Sequence, residues 1–316
     1  MDIKNNSQYL SFTDSKTIYD SSEKLPLIKI NTPLCDAIVA PQGAQLLEFT
    51  PKNEGKESEC AWLWLSPKAV FSKGKAIRGG IPVCAPWFGV NQQDPLKPKH
   101  GFVRTQQWAL NEVIESENGT VELCFQFTSS ESDLPLYPHY FQLDLRITLS
   151  DRIKMSLTVH NLSNSNMPFS WALHSYFCVN KLQDVHVSGL DKHRYLDAAN
   201  RDKAGNFSVK HQQGDIYFKS EVDSVYEHVG KQQTIIGTPS LNIEGEKCPT
   251  VIIWNPGAEL AKQMSDVGVE HYEDYICVER GAAFNDSWDI APRSSKSATL
   301  SLSNTALIAN KSKEAH

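Results

Sequence analysis

The stretch from residue 77 to residue 104 holds the side chains best suited to chemistry. It reads IRGGIPVCAPWFG, then a short Pro/Lys-rich insert, then HGFVR, with Arg78, Arg104 and His100 set among glycines, prolines and aromatics. A guanidinium is a planar fork of donors that matches phosphate or carboxylate. Gly79, Gly80 and Gly101 would let the backbone pass close to a ligand. The pattern points to a site for a small anion. On spacing alone the same residues read equally well as two arginines in ion pairs on a turn-rich loop.

Three other segments carry usable groups. Residues 169–179 read as one strand, with Phe169, Trp171, Leu173 and Phe177 on one face and Ser170, Ala172, His174 and Tyr176 on the other. The second face is small and polar with aromatic trim, which suits a solvated surface or the floor of a cleft. A lone histidine on a strand is more often structural than catalytic. In residues 275–280, Tyr275, Cys277 and Glu279 alternate with Ile276, Val278 and Arg280. That segment by itself favours Glu279 as a strand-end carboxylate reaching solvent. A buried carboxyl there would instead have a raised pKa and could act as a general base. Asp223, in Asp223-Ser224-Val225-Tyr226, follows a polar stretch. In isolation it starts a turn, although it could also accept hydrogen bonds from sugar hydroxyls. Trp87, Trp108, Trp171 and Trp254 lie in or near these segments, and tryptophan both stacks on sugar C–H faces and fills β cores.

Other chemistries are poorly supported. The chain has no G-x-S-x-G elbow, no G-x-x-x-x-G-K-[ST] loop and no H-E-x-x-H. Its histidines are dispersed, so no metal site is expected, and His186 and His193 with Asp184 and Asp191 read as surface residues.

The elements that must position these groups are strands. Val121, Leu123, Phe125 and Phe127 alternate with polar residues, as do Phe141 through Leu149 and Ile153 through Val159. The last two predict an antiparallel hairpin across Ser150-Asp151-Arg152. Further strands are expected at 27–30, 36–39, 45–49, 183–188, 250–254 and 297–303. Short helices are expected at 68–71 and 256–264, and polar loops at 54–59 and 200–213, with a frayed tail at 309–316. The pattern predicts an all-β fold, a large sandwich of antiparallel sheets with a few short helices. No composition break or repeat divides the chain, so residues 1–316 are expected to form one domain with a core of about 27–303.

Composition narrows the partners. The chain has 316 residues, 40% of them hydrophobic, with a formal net charge of -6 and a pI near 5.9. An acidic balance argues against nucleic acid, which needs a basic face. Seven cysteines, an odd number without C-x-x-C, suggest a reducing compartment and no zinc. The first sixteen residues lack an apolar signal core, and no apolar run is long enough for a membrane span. A cytoplasmic protein without membrane partners is expected.

Taken in order, Arg78-Gly79-Gly80-Ile81-Pro82, His100-Gly101-Phe102-Val103-Arg104, Leu173-His174-Ser175-Tyr176-Phe177, Asp223-Ser224-Val225-Tyr226, Trp254-Asn255-Pro256 and Cys277-Val278-Glu279 resemble the galactose mutarotase-like (aldose 1-epimerase) superfamily. Within it the chain looks most like the branch acting on hexose 6-phosphates. Each motif is weak alone; six in the family's order are specific. The resemblance spans about 27–303 and implies a β-supersandwich with an open cleft on one sheet. It implies an isomerase that exchanges the α and β anomers of a phosphosugar, glucose 6-phosphate first among them. His174 and Glu279 would be the catalytic pair, and Arg78 and Arg104 would bind substrate and its phosphate. Asp223 would hold sugar hydroxyls, and His100 would lie in the site. Lys99 stands where some relatives carry a substrate-contacting side chain, often glutamine, and a lysine there suits an anion. No metal or cofactor is implied, and a monomer is expected. The alternatives are an epimerase for unphosphorylated aldoses and a non-catalytic sugar-binding domain of the same fold.

Overall fold

The computed structural model describes residues 7–52, 60–201 and 206–305. Within them the period-2 patterns become strands. Phe141–Leu149 and Ile153–Asn161 bury every second side chain and pair antiparallel as a hairpin. Ser295–Asn304 adds to the other edge of Ile153–Asn161, and Val121–Thr128 to that of Phe141–Leu149.

These strands belong to a nine-stranded antiparallel sheet. Its order is Ile216–Tyr217, His186–Ser188, Gln232–Ile236, Leu241–Glu246, Ser295–Asn304, Ile153–Asn161, Phe141–Leu149, Val121–Thr128 and Ala109–Glu115. An eight-stranded antiparallel sheet runs Phe207–His211, Arg194–Arg201, Val222–Tyr226, Thr250–Asn255, Tyr275–Ala282, Trp171–Leu173 and Val83–Cys84, with Tyr176–Cys178 also paired to Tyr275–Ala282. A four-stranded sheet, Leu10–Asp14 through Gln45–Pro51, and the pair Met167–Phe169 with Trp288–Ile290 complete the described strands.

Side chains alternate across a sheet, so each large sheet has an inner face. Leu145, Leu157 and Leu300 from the nine-stranded sheet join Phe177, Ile276 and Val278 from the eight-stranded sheet in one apolar cluster. Each such side chain contributes roughly 1.5–3 kcal/mol on full burial. The opposite face of the eight-stranded sheet then carries the intervening residues: Asp223, Trp254, Cys277, Glu279 and Tyr176. Cross-strand register lines them up, with Asp223 beside Trp254, Trp254 beside Cys277 and Cys277 beside Tyr176.

Several local expectations are corrected. Residues 169–179 are three short strands, because the chain kinks at His174 and Ser175, where the Ser175 N–H donates to Leu173 O at 3.0 Å. The alternation survives on either side of the kink. The helix expected at 68–71 is a turn: the Ser66 hydroxyl accepts from the Lys68 N–H at 3.1 Å, and Pro67 follows Ser66. Within residues 200–213, of which 202–205 lie outside the described residues, the end of Arg194–Arg201 and the whole of Phe207–His211 belong to an antiparallel pair of strands, polar because it is the outer edge of its sheet. Residues 183–188 divide between a 3-10 turn, Leu182–Asp184, and the strand His186–Ser188. Asp223 lies inside the strand Val222–Tyr226 rather than at a turn. The loop at 54–59 and the tail at 309–316 lie outside the described residues apart from their neighbours.

Candidate active site

The outer face of the eight-stranded sheet forms the floor of a cleft of about 490 Å³. Every site residue picked out in the sequence lines it: Arg78, Lys99, His100, Arg104, His174, Asp223 and Glu279. Trp254 and Phe88 add aromatic wall, and Arg201, Glu221 and Phe284 line it too. Those three had no legible signal, since each sits in a polar or loosely patterned stretch. A neighbouring cavity of about 510 Å³ shares Glu221 but contains no histidine.

Glu279 is 1% exposed, which overturns the solvated strand-end expectation. Its strand runs on to Ala282 and is covered on both edges, by Thr250–Asn255 and by the kinked strand pair. His174 is 6% exposed, and its Nε2 lies 3.4 Å from Glu279 Oε1. The kink puts His174 at the end of one short strand, so its ring turns toward the neighbouring carboxyl. His174 Nδ1 and Glu279 Oε2 are buried and have no hydrogen-bond partner among the described residues. Buried polar atoms are normally satisfied, so these two mark where a polar ligand fits.

Electrostatics push both members of the pair toward neutrality. Burial, reinforced by Asp223, holds the Glu279 carboxyl well above the usual carboxylate range despite Lys99 and Arg104. Burial, then the cations Arg78, Arg104 and Lys99, hold the His174 imidazole well below the usual histidine range. Neighbouring carboxylates alone would keep His174 charged; burial and three cations prevail. Both shifts act in the same sense, favouring a proton on the Glu279 carboxyl over one on the His174 imidazole. Burial also raises the pKa of Asp223.

His100 has φ 67, an unusual left-handed backbone for a non-glycine residue. Its Nδ1 accepts from the Gly89 N–H at 3.3 Å, which leaves Nε2 as the protonated nitrogen. Burial and the nearby His174 hold the ring neutral. The glycines act differently from the expectation. A Cβ on Gly101 would lie 1.8 Å from Ala85 O, and one on Gly80 would lie 2.2 Å from Leu46 O. Their freedom lets backbone pack on backbone, and the ligand-facing groups are side chains.

The basic residues divide. Arg78 is engaged: Nε donates to Asp266 Oδ2 at 2.9 Å, Nη2 lies 2.8 Å from the same oxygen in an ion pair, and Nη1 donates to Tyr176 Oη at 2.8 Å. Arg104 donates from Nη2 to Lys99 O at 2.9 Å. Neither Arg104 nor Lys99 pairs with a carboxylate among the described residues. Arg280, next to Glu279 in sequence, points away from the cleft and donates to Gln233 Oε1 at 2.6 Å and Gly230 O at 3.1 Å.

The profile of the aldose 1-epimerase family matches residues 26–303. The chain belongs to the aldose 1-epimerase family. Among relatives, a provisionally named glucose-6-phosphate 1-epimerase of Salmonella typhimurium is 35% identical over 264 residues, covering 81% of this chain and 83% of its own. A protein of the same provisional name from Cenchrus ciliaris is 35% identical over 265 residues, covering 78% of this chain and 75% of its own. The crystal structure of a provisionally named mutarotase from Salmonella typhimurium superposes with a TM-score of 0.80 at 31% identity, over 95% of both chains. This aldose 1-epimerase family member thus has the galactose mutarotase-like fold, all-β with large antiparallel sheets. Among the described residues no group of three or more His, Cys, Asp or Glu could hold a metal ion. None of the described helices is long and apolar enough to cross a membrane.

Proposed function

We propose that this protein interconverts the α and β anomers of a hexose 6-phosphate, glucose 6-phosphate foremost, by opening and reclosing the sugar ring. The observation that carries the chemistry is the buried His174–Glu279 pair, 3.4 Å apart on the cleft floor, with one open polar atom on each partner. Mutarotation needs a base at the anomeric hydroxyl and an acid at the ring oxygen, acting together. A pair that holds a single proton supplies both. Glu279 takes the O1 proton as His174 gives its proton to O5, and after rotation about C1–C2 the same groups act in reverse. The directions of the two shifts favour the proton on the carboxyl before the sugar binds. A bound sugar hydroxyl donating to Glu279 favours the carboxylate and moves the proton across to His174. The proton count on the pair is the same in both forms, so no solvent proton is required.

Substrate class follows from charge. Lys99 and Arg104 are cations without carboxylate partners among the described residues, on the same cleft wall, and they are the proposed phosphate site. Asp223 accepts from sugar hydroxyls, and His100 donates from Nε2. Trp254 offers an apolar face to the ring. The names of the relatives support the same substrate. The chain is read as one domain, since the cleft draws on segments from Arg78 to Phe284.

NMR exchange spectroscopy on α- and β-glucose 6-phosphate tests this. Accelerated exchange by the intact protein is expected, with His174→Ala at the uncatalysed rate and its fold retained. Equal rates with and without protein would refute the proposal. Faster exchange of free glucose than of glucose 6-phosphate would reassign the substrate to unphosphorylated aldoses.

A further inference from the structure

The His174 ring lacks the tether that working histidines usually have. A catalytic imidazole is normally oriented by a hydrogen bond on its second nitrogen. Here Nδ1 has no partner among the described residues, and the contact from Nε2 to Glu279 is long, at 3.4 Å. Orientation is left to packing. One ring lies flat on His174: Tyr176, with centroids 4.7 Å apart and planes 6° apart. Trp254 and His100 meet the imidazole edge-on at 5.9 and 5.6 Å.

Tyr176 is in turn fixed at its far end. Its hydroxyl accepts from Arg78 Nη1 at 2.8 Å, and the same guanidinium donates from Nε to Asp266 and is ion-paired with it. Asp266 lies in the turn after the helix Gly257–Ala261, anchored where its carbonyl accepts from the Ser66 hydroxyl at 2.6 Å. An unbroken series of contacts therefore runs from Asp266 through Arg78 and Tyr176 to the imidazole. Two of the five N–H groups of Arg78 donate within this series.

We infer that Asp266 and Arg78 are positioning residues: they fix Tyr176, and Tyr176 holds the His174 ring in the orientation from which it exchanges a proton with the sugar. Arg78 then serves the chemical step, and recognition of phosphate falls to Lys99 and Arg104. This rests on the anomer-exchange function proposed above.

Two independent readouts test it on the intact 316-residue chain. The first is kcat and KM for anomer exchange of glucose 6-phosphate and of glucose in Asp266→Ala, Asp266→Asn and Arg78→Ala. A displaced catalytic group costs on the order of 10–100-fold. Asp266→Ala and Arg78→Ala should lose that much in kcat on both sugars, with KM changed by less than about threefold. Asp266→Asn, which keeps an acceptor for Arg78, should lose less. A loss confined to KM for the phosphosugar would overturn the inference and make Arg78 a phosphate ligand. Retained kcat in all three would overturn it too.

The second readout is the ¹⁵N–¹H spectrum of the His174 ring, which needs no turnover. The parent should show one tautomer and Asp266→Ala an averaged one. Arg78→Ala should also move the His174 titration upward, because it removes a cation from a ring faced by Arg78, Lys99, Arg104, His100 and Glu279. If the parent exchanges no sugar, the proposed function fails and the spectrum alone decides the positioning. An unchanged His174 spectrum in Asp266→Ala would then overturn it. Thermal melting of each variant separates these outcomes from unfolding.

Discussion

Replacing Glu279 by glutamine should impair catalysis and stabilise the protein, and the second effect should grow with pH. The carboxyl is buried, its Oε2 is unpartnered and its pKa is well above the ordinary value of 4.5. Its partner His174 lies well below the ordinary 6.5. Folding therefore favours the protonated Glu279 carboxyl and the neutral His174 imidazole. In the unfolded chain the two groups bind two protons below pH 4.5, one between 4.5 and 6.5, and none above. Stability follows the difference in bound protons, about 1.4 kcal/mol per pH unit per proton. For the parent, the depressed His174 makes stability rise with pH up to 6.5, and the raised Glu279 makes it fall with pH from 4.5 upward until the folded carboxyl ionises.

With glutamine at 279 only His174 remains. Its folded pKa is depressed, so its contribution rises with pH up to 6.5 and is then level. The difference between the two proteins thus widens in favour of Glu279→Gln by about 1.4 kcal/mol per pH unit from pH 4.5 upward, for as long as the parent carboxyl stays protonated. Urea unfolding at a series of pH values from 5 to 8 measures the gap. Other groups cancel in the difference because their surroundings are unchanged. Activity should fall in the opposite sense. Loss of a positioned base costs about 10²–10⁴-fold, or about 3–5 kcal/mol of barrier. Two unfolding curves that stay parallel over this range would mean that Glu279 is already ionised in the empty site, and the neutral-pair reasoning would fail.

Further outcomes follow from the same geometry. Lys99→Ala and Arg104→Ala should each raise KM for glucose 6-phosphate while leaving glucose nearly unaffected. A charge-assisted hydrogen bond is worth about 1.5–3 kcal/mol, or about 10–150-fold, and the selectivity should shrink in high salt. The acid limb of the pH–rate profile should lie below pH 6.5, because burial and cations delay the second proton on the pair; a limb above that value would contradict the assigned electrostatics. Gly101→Ala should destabilise by at least about 2 kcal/mol in urea titrations, since alanine is strained at φ 69 and its Cβ meets Ala85 O. That change should also lower activity, because His100 is the preceding residue.

Legibility varied from segment to segment for physical reasons. Strands such as Phe141–Leu149 were legible because one face is buried and the other wet, which writes a period of two into the sequence. The edge strand Phe207–His211 was not, because its exposed side chains read as a loop. Glu279 looked solvated because six residues, 275–280, do not reveal that strands cover both edges. Asp266 left no signal: it is one acidic residue in a turn, and only its distance to Arg78 gives it a role.

The sequence by itself determined the β architecture and brought out the cleft residues, including the stretch 77–104 with Arg78, His100 and Arg104. Alternation fixes which face each side chain takes, and alternation is written locally. Tertiary structure alone decided the directions in which the His174 and Glu279 pKa values are pushed, the engagement of Arg78 by Asp266 and Tyr176, and the exposure of Lys99 and Arg104 to the cleft. Those properties depend on burial and on distances between segments far apart in the chain, and no local pattern encodes them.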